Sequence, residues 1–215
     1  MTRAFCLVLT LLVAVSLSAP LWAEGEQMAV AVNLLEGLRD GRLIAEFHGA
    51  GGSSVSGILG NREPGPVMVQ IPSGTQFQAQ LPGRQGMSTL GSLKVPLQPG
   101  QLASVNIPTA CTALGLPEPT AEDVMIPRPC PDARLARLAA ALDARPVPQA
   151  AAQVAVWALS DNPPLMLVQP YLNDQAPGFD LAAYAARREL VQQAAALLGA
   201  AGLEPRQFRM FMGMR

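Results

Sequence analysis

The sequence predicts an α+β protein, with an N-terminal antiparallel β-sandwich over residues 24–112 and a helical subdomain over 113–215 packed on the sheet. Three observations carry this expectation. Between Leu43 and Thr112, short apolar runs separated by turn residues follow one another at 8 to 14 residue spacing. After Thr112 the chain becomes proline-rich, and then alanine, leucine and arginine recur at helical spacing. Half of the 215 residues are hydrophobic and 14% are charged, which opposes a disordered chain, while 20 prolines and 19 glycines oppose a long-helix bundle.

Residues 1–23 read as a secretory signal: Arg3, an apolar run from Ala4 to Ala19, then Pro20, Leu21, Trp22 and Ala23 ahead of Glu24. The run is shorter than the roughly 20 apolar residues that span a bilayer, so a cleaved leader is favoured over an anchor. A secreted or periplasmic protein with no stable membrane span is expected. Cys6 lies inside the run rather than after it, unlike a lipoprotein cysteine.

In the strand region, Leu43 to Phe47 precedes a glycine loop from His48 to Gly52, followed by Ser53 to Leu59. The turn Asn61-Arg62-Glu63-Pro64-Gly65-Pro66 leads into Val67 to Ile71, and Pro72-Ser73-Gly74 into Thr75 to Leu81. There Phe77, Ala79 and Leu81 alternate with glutamines, the period of a half-buried strand. Lys94 to Leu97 and Ala103 to Ile107 continue the series across Gln98-Pro99-Gly100. Two sheets hiding one face each account for so many short strands. A glycine-rich barrel is the alternative.

In the second half, Asp132 is placed to cap a helix carrying Leu135, Leu138, Ala139 and Leu142. A second helix starts near Pro148 and carries Ala152, Ala155, Val156 and Leu159 up to Asp161-Asn162-Pro163-Pro164. A third, from Asp180 to Leu198, lines up Leu181, Tyr184, Leu190, Val191, Ala194, Leu197 and Leu198, with Gly199 and Gly202 as stop signals. Leu165 to Tyr171 reads equally as a strand or as an apolar contact patch.

Without the leader the net charge is near −2, too little positive field for nucleic-acid binding. One histidine, His48, and one lysine, Lys94, leave few residues for metal or Schiff-base chemistry, and no cofactor is expected. The His48-Gly49-Ala50-Gly51-Gly52 loop superficially matches a hydrolase oxyanion loop. The following Gly52 to Gly57 lacks the glycine spacing of a nucleophile elbow, and no second histidine is present. Met210, Met212 and Met214 are a weak candidate set for a soft metal if they share one strand face. Glu118, Glu122 and Asp123 form a loose surface cluster, and Thr120 with Asp123 reads as a helix start.

Two cysteines remain beyond the leader, Cys111 and Cys130. In an oxidising compartment their even number suggests one disulfide, worth about 3 kcal/mol. A second reading comes from Ile107-Pro108-Thr109-Ala110-Cys111-Thr112, followed some forty residues later by Ala152-Gln153-Val154-Ala155-Val156-Trp157. This pair resembles the Cys-Thr and Thr-Gln-x-Ala motifs of bacterial thioester domains, found in surface adhesins of Gram-positive bacteria. Ala152 stands where threonine is usual, and Ala110 where a bulkier residue often precedes the cysteine. The resemblance covers about fifty residues and implies Cys111 as thiol and Gln153 as acyl donor, with Trp157 supporting the enclosure. Disulfide and thioester exclude one another at Cys111. The stretch Asn61 to Ile71, followed by Pro72-Ser73-Gly74-Thr75-Gln76-Phe77, is also similar to secreted bacterial β-rich domains without an assigned activity.

The resulting expectation is a non-catalytic exported module that binds a protein or surface ligand at the cell envelope. The alternative is an adhesion domain that couples to a target amine through a Cys111–Gln153 thioester.

Overall fold

The computed structural model describes residues 29–212, so the expected leader and Met214 lie outside the described residues. Strands come first and helices second, giving a mixed α and β protein with two sheets. The smaller sheet joins β1 (Val30–Asn33) in parallel to β4 (Val67–Ile71), which pairs antiparallel with β7 (Leu93–Leu97). Asn33 ends β1 and caps α1 (Leu34–Arg39), its Oδ1 accepting the N–H groups of Leu35 (2.9 Å) and Glu36 (3.4 Å).

The larger sheet uses β2 (Leu43–Gly49), β3 (Ser54–Asn61), β5 (Gln76–Ala79), β6 (Met87–Thr89), β8 (Leu102–Cys111) and β9 (Met125–Arg128). Their order is β2-β3-β8-β6-β5-β9, antiparallel throughout. The two edges of this sheet curl toward each other: His48 of β2 bridges to Val124, just before β9, and the Gly49 N–H donates to the Asp123 carbonyl at 3.1 Å. The sheet is therefore nearly barrel-shaped. β9 lies beyond residue 112, so the larger sheet draws on chain from both sides of the expected boundary. Thr120 and Asp123 start no helix. The Asp123 carboxylate accepts the Thr120 N–H (2.7 Å) and hydroxyl (2.9 Å), closing the turn that leads into β9.

Both sheets contribute to one apolar core that includes Phe47, Val69, Phe77 and Ile107. Phe47 and Phe77 meet edge to face with centroids 5.1 Å apart, an arrangement worth about 0.5–1.5 kcal/mol beyond area burial. The buried Asn61 holds the turn after β3: its amide donates to the carbonyls of Gly65 (2.9 Å) and Gln98 (3.1 Å), and its Oδ1 accepts from the Glu63 N–H (2.8 Å).

The helices are α2 (Ala133–Ala144), α3 (Gln149–Ser160), α4 (Leu165–Gln175) and α5 (Leu181–Ala200). As expected, Asp132 caps α2 by accepting the Arg134 N–H at 2.8 Å. From Ala150 to Leu159 α3 is buried on every face, because it lies between β8 and α5. The expected third helix therefore packs on α3 and α2, with α3 between it and the sheet. Only the C-terminal half of its predicted stripe is buried, at Val191, Ala194, Leu197 and Leu198, whereas Leu181 is 87% exposed. Leu165 to Tyr171 resolves into the first part of α4, despite Pro170 within it. No helix among the described residues is long and apolar enough to cross a membrane.

Candidate functional site

The site grows from a gap in strand pairing. β3 pairs with β8 as far as Ser54 opposite Pro108, and the Ser53 carbonyl takes the Thr109 N–H at 2.9 Å. Beyond that point the β3-side edge of β8 has no strand partner, yet its polar groups are buried and need partners. Two glutamines of α3 supply them. Gln149 Nε2 donates to the Thr109 carbonyl (2.6 Å). Gln153 clasps Cys111 at two points: the Cys111 N–H donates to Gln153 Oε1 (2.7 Å), and Gln153 Nε2 donates to the Cys111 carbonyl (2.8 Å).

The spacing follows from elementary geometry. Four residues advance an α-helix by about 6 Å, and two residues advance a strand by about 6.6 Å. Positions 149 and 153 therefore stay in step with 109 and 111 when α3 runs alongside β8. The side-chain amides take over the place of β3 along the last residues of β8.

The Cys111 side chain is also enclosed. Its thiol donates to the Gly52 carbonyl (3.4 Å) and lies 3.6 Å from Met87 Sδ, on the paired residue of β6. Burial, with a smaller contribution from the Glu118 charge, pushes the thiol up from 9.0 to about 12. At neutral pH it is a protonated thiol, unreactive without a base. One helical turn beyond Gln153, Trp157 is buried with its indole N–H unpartnered, and it meets Tyr171 of α4 edge to face at 4.9 Å. Burial, followed by the Cys111 and Glu118 charges, raises the Tyr171 phenol to about 12.

Loop 112–120 covers the site and is fixed by its own backbone. The N–H groups of Gly51 and Gln85 donate to the carbonyls of Pro119 (3.1 Å) and Pro117 (3.0 Å), Gln85 Nε2 donates to the Leu116 carbonyl (2.6 Å), and the Leu114 N–H donates to Asp161 (3.2 Å). The Glu118 carboxylate, at the end of an exposed side chain, lies where a Cβ on Gly52 would stand.

The structure thus brings Cys111, Gln153 and Trp157 together. It does not bring Cys111 and Cys130 together: both are free thiols, with β6 and β5 between β8 and the β9 end of the sheet that leads to Cys130. The Cys130 thiol instead donates to the Asp132 carbonyl at 3.2 Å. Met210 and Met212, of the weak candidate methionine set, share no strand face. Arg209–Phe211 make a 3-10 turn that buries Met210, while Met212 is 62% exposed. Among the described residues no three His, Cys, Asp or Glu side chains cluster as a metal site. His48 contacts Glu46 at 2.8 Å and takes no part in the Cys111 site. Gln149, Tyr171, Gly52 and Glu118 belong to the site without having been singled out for it in the sequence. Gln149 alone left a signal there, as a second glutamine four residues before Gln153 on a helix whose other residues are apolar as far as Leu159.

No protein-family model matches the chain, and neither does any curated protein or solved structure. The likeness to thioester domains therefore rests on the two short motifs quoted above.

Proposed function

We propose that this chain is an exported attachment module in which Cys111 and Gln153 condense to an internal thioester that couples once to an amine of a target surface. The observation that carries this reading is the two-point clasp of the Gln153 amide on the backbone of the cysteine itself. It keeps the acyl carbon beside the thiol-bearing residue and fixes the amide's rotation, the positional restraint that a difficult acyl transfer needs.

In the condensation Cys111 Sγ bonds to Gln153 Cδ, the Cδ–Nε2 bond breaks, and the thiol proton leaves with the nitrogen as ammonia. The Cys111 N–H that donates to Oε1 stabilises the negative charge this oxygen gains when sulfur adds to the carbon. In the coupling step a target amine adds to the same carbon, the C–S bond breaks, and the thiol is regenerated beside a new amide. Cys111, Gln153 and Trp157 are each at most 5% exposed, and excluding water protects such a bond from hydrolysis. The reaction is single-use rather than turnover, and of the two expectations from the sequence it takes up the alternative, the adhesion domain with a thioester. The shared core of the two sheets supports reading them as the layers of a distorted sandwich that carries this site.

Intact mass of the purified, unreduced protein tests the proposal. The wild type is expected to be lighter by one ammonia than its sequence, and to gain one methylamine when incubated with that amine. Cys111→Ala is expected at full mass and inert. A wild type at full mass, or one lighter by two hydrogens that a reductant restores, overturns it.

A further inference from the structure

We propose that residues 113–115 form a flap over the Trp157 side of the Cys111 site, latched by Asp161, and that release of this latch admits the target amine to Gln153. What enters rests on the thioester reading, whereas the flap itself rests on how the chain after β8 is tied down.

The ties define a short unsupported stretch. At one end the Thr112 N–H donates to the Gly86 carbonyl (2.8 Å), and at the other Gln85 Nε2 donates to the Leu116 carbonyl (2.6 Å). Both supports come from neighbouring residues just before β6, so the stretch between them stands on one base. The Leu116 N–H closes a turn onto the Ala113 carbonyl at 3.3 Å. Among the described residues, one hydrogen bond holds 113–115 to the rest of the molecule: the Leu114 N–H donates to Asp161 Oδ2 at 3.2 Å. That bond is exposed, whereas the Gln153 clasp on Cys111 is buried. The Leu114 side chain is only partly buried against the core, and a Cβ on Gly115 would meet nothing.

Chain lengths place the flap over the site. Gln153 holds Cys111, and Asp161, eight positions further along α3, holds Leu114. Eight residues of helix advance about 12 Å, and three residues of fully extended chain reach at most about 11 Å. The chain from Cys111 to Leu114 therefore runs almost straight beside α3 and passes Trp157, which lies midway between the two ties. Trp157 is 5% exposed, yet its indole N–H has no partner. With the flap shut this donor stays unsatisfied, and opening lets water or an entering group accept from it. Asp161 is the C-cap of α3, where a carboxylate meets the negative end of the helix dipole and is ordinarily unfavourable. Its use there is to accept the Leu114 N–H, and the Ser160 hydroxyl orients it by donating to the same oxygen at 2.6 Å.

The experiment follows methylamine capture by intact mass in the full chain as wild type, Asp161→Ala, Asp161→Asn and Asp132→Ala. Asp161→Ala removes the acceptor and is expected to capture methylamine about tenfold faster, the factor that one hydrogen bond to a charged group carries. Asp161→Asn keeps a side-chain carbonyl oxygen and is expected to stay near the wild-type rate. Asp132→Ala loosens α2 instead and is expected to leave the rate unchanged, which separates flap opening from a general loss of stability. Equal rates in wild type and Asp161→Ala, or an equal acceleration by Asp132→Ala, overturn the flap while leaving the thioester standing. A wild type at full mass overturns the thioester, and the flap is then read from alkylation of Cys111 by iodoacetamide in the same four proteins. There a faster reaction in Asp161→Ala alone supports it, and equal rates overturn it.

Discussion

Replacing Gln153 by alanine in a Cys111→Ala background isolates the clasp from any covalent bond. The substitution leaves the Cys111-position N–H and carbonyl without partners at a site where Gln153 is only 2% exposed. Each buried orphan costs about 1–3 kcal/mol, so the loss is expected at about 4 kcal/mol. Gln149→Ala in the same background orphans one carbonyl, that of Thr109, and is expected to cost about 1–2 kcal/mol. Urea denaturation followed by tryptophan fluorescence measures both. The covalent contribution is separable, since a thioester across a separation of 42 residues adds about 4 kcal/mol in the chain-entropy model, and methylamine removes it from the wild type alone. A Gln153→Ala loss below about 1 kcal/mol, or one no larger than that of Gln149→Ala, would falsify the claim that these amides replace a strand.

Further expectations concern titration, thiol access and capping. Tyr171 is expected to ionise near 12 when phenolate absorbance is followed in a Tyr184→Phe variant; because an unfolded tyrosine ionises at 10.0, the stability it contributes is complete below that pH and is lost as the pH rises toward 12. A phenol titrating at 10.0 in folded protein contradicts its burial beside Trp157. Iodoacetamide at neutral pH is expected to label the half-buried Cys130 and spare Cys111, and peptide analysis showing the reverse order counts against the enclosure. Asp132→Ala removes the α2 cap and is expected to lower stability by about 1 kcal/mol in urea titrations, while an unchanged midpoint denies the cap its role.

What the sequence made legible divides by the range of the interactions involved. Val67–Ile71 was readable as a strand, and Asp132 as a cap, because turn chemistry and side-chain period act within a few residues. β6 was not readable: three residues, two of them polar, carry no period, and Ser88 and Thr89 are buried only because β5 and β8 flank them. α4 was obscured by the prolines before it and within it. Tyr184, 60% exposed, shows the limit of a helical stripe, since which turns are covered depends on where α3 ends. Cys111 and Gln153 could be paired through their motifs. The place of Glu118 was not readable, because only the folding of loop 112–120 against Gly51 and Gln85 sets its carboxylate beside Gly52.

The most direct test of the central claim is peptide mapping of the native, unreduced wild type after proteolysis at mildly acidic pH. The account predicts a β8 peptide containing Cys111 joined to an α3 peptide containing Gln153, with the pair lacking one ammonia and separating when hydroxylamine is added. Two unlinked peptides at full mass, or Cys111 recovered in a reducible link to Cys130, would contradict it.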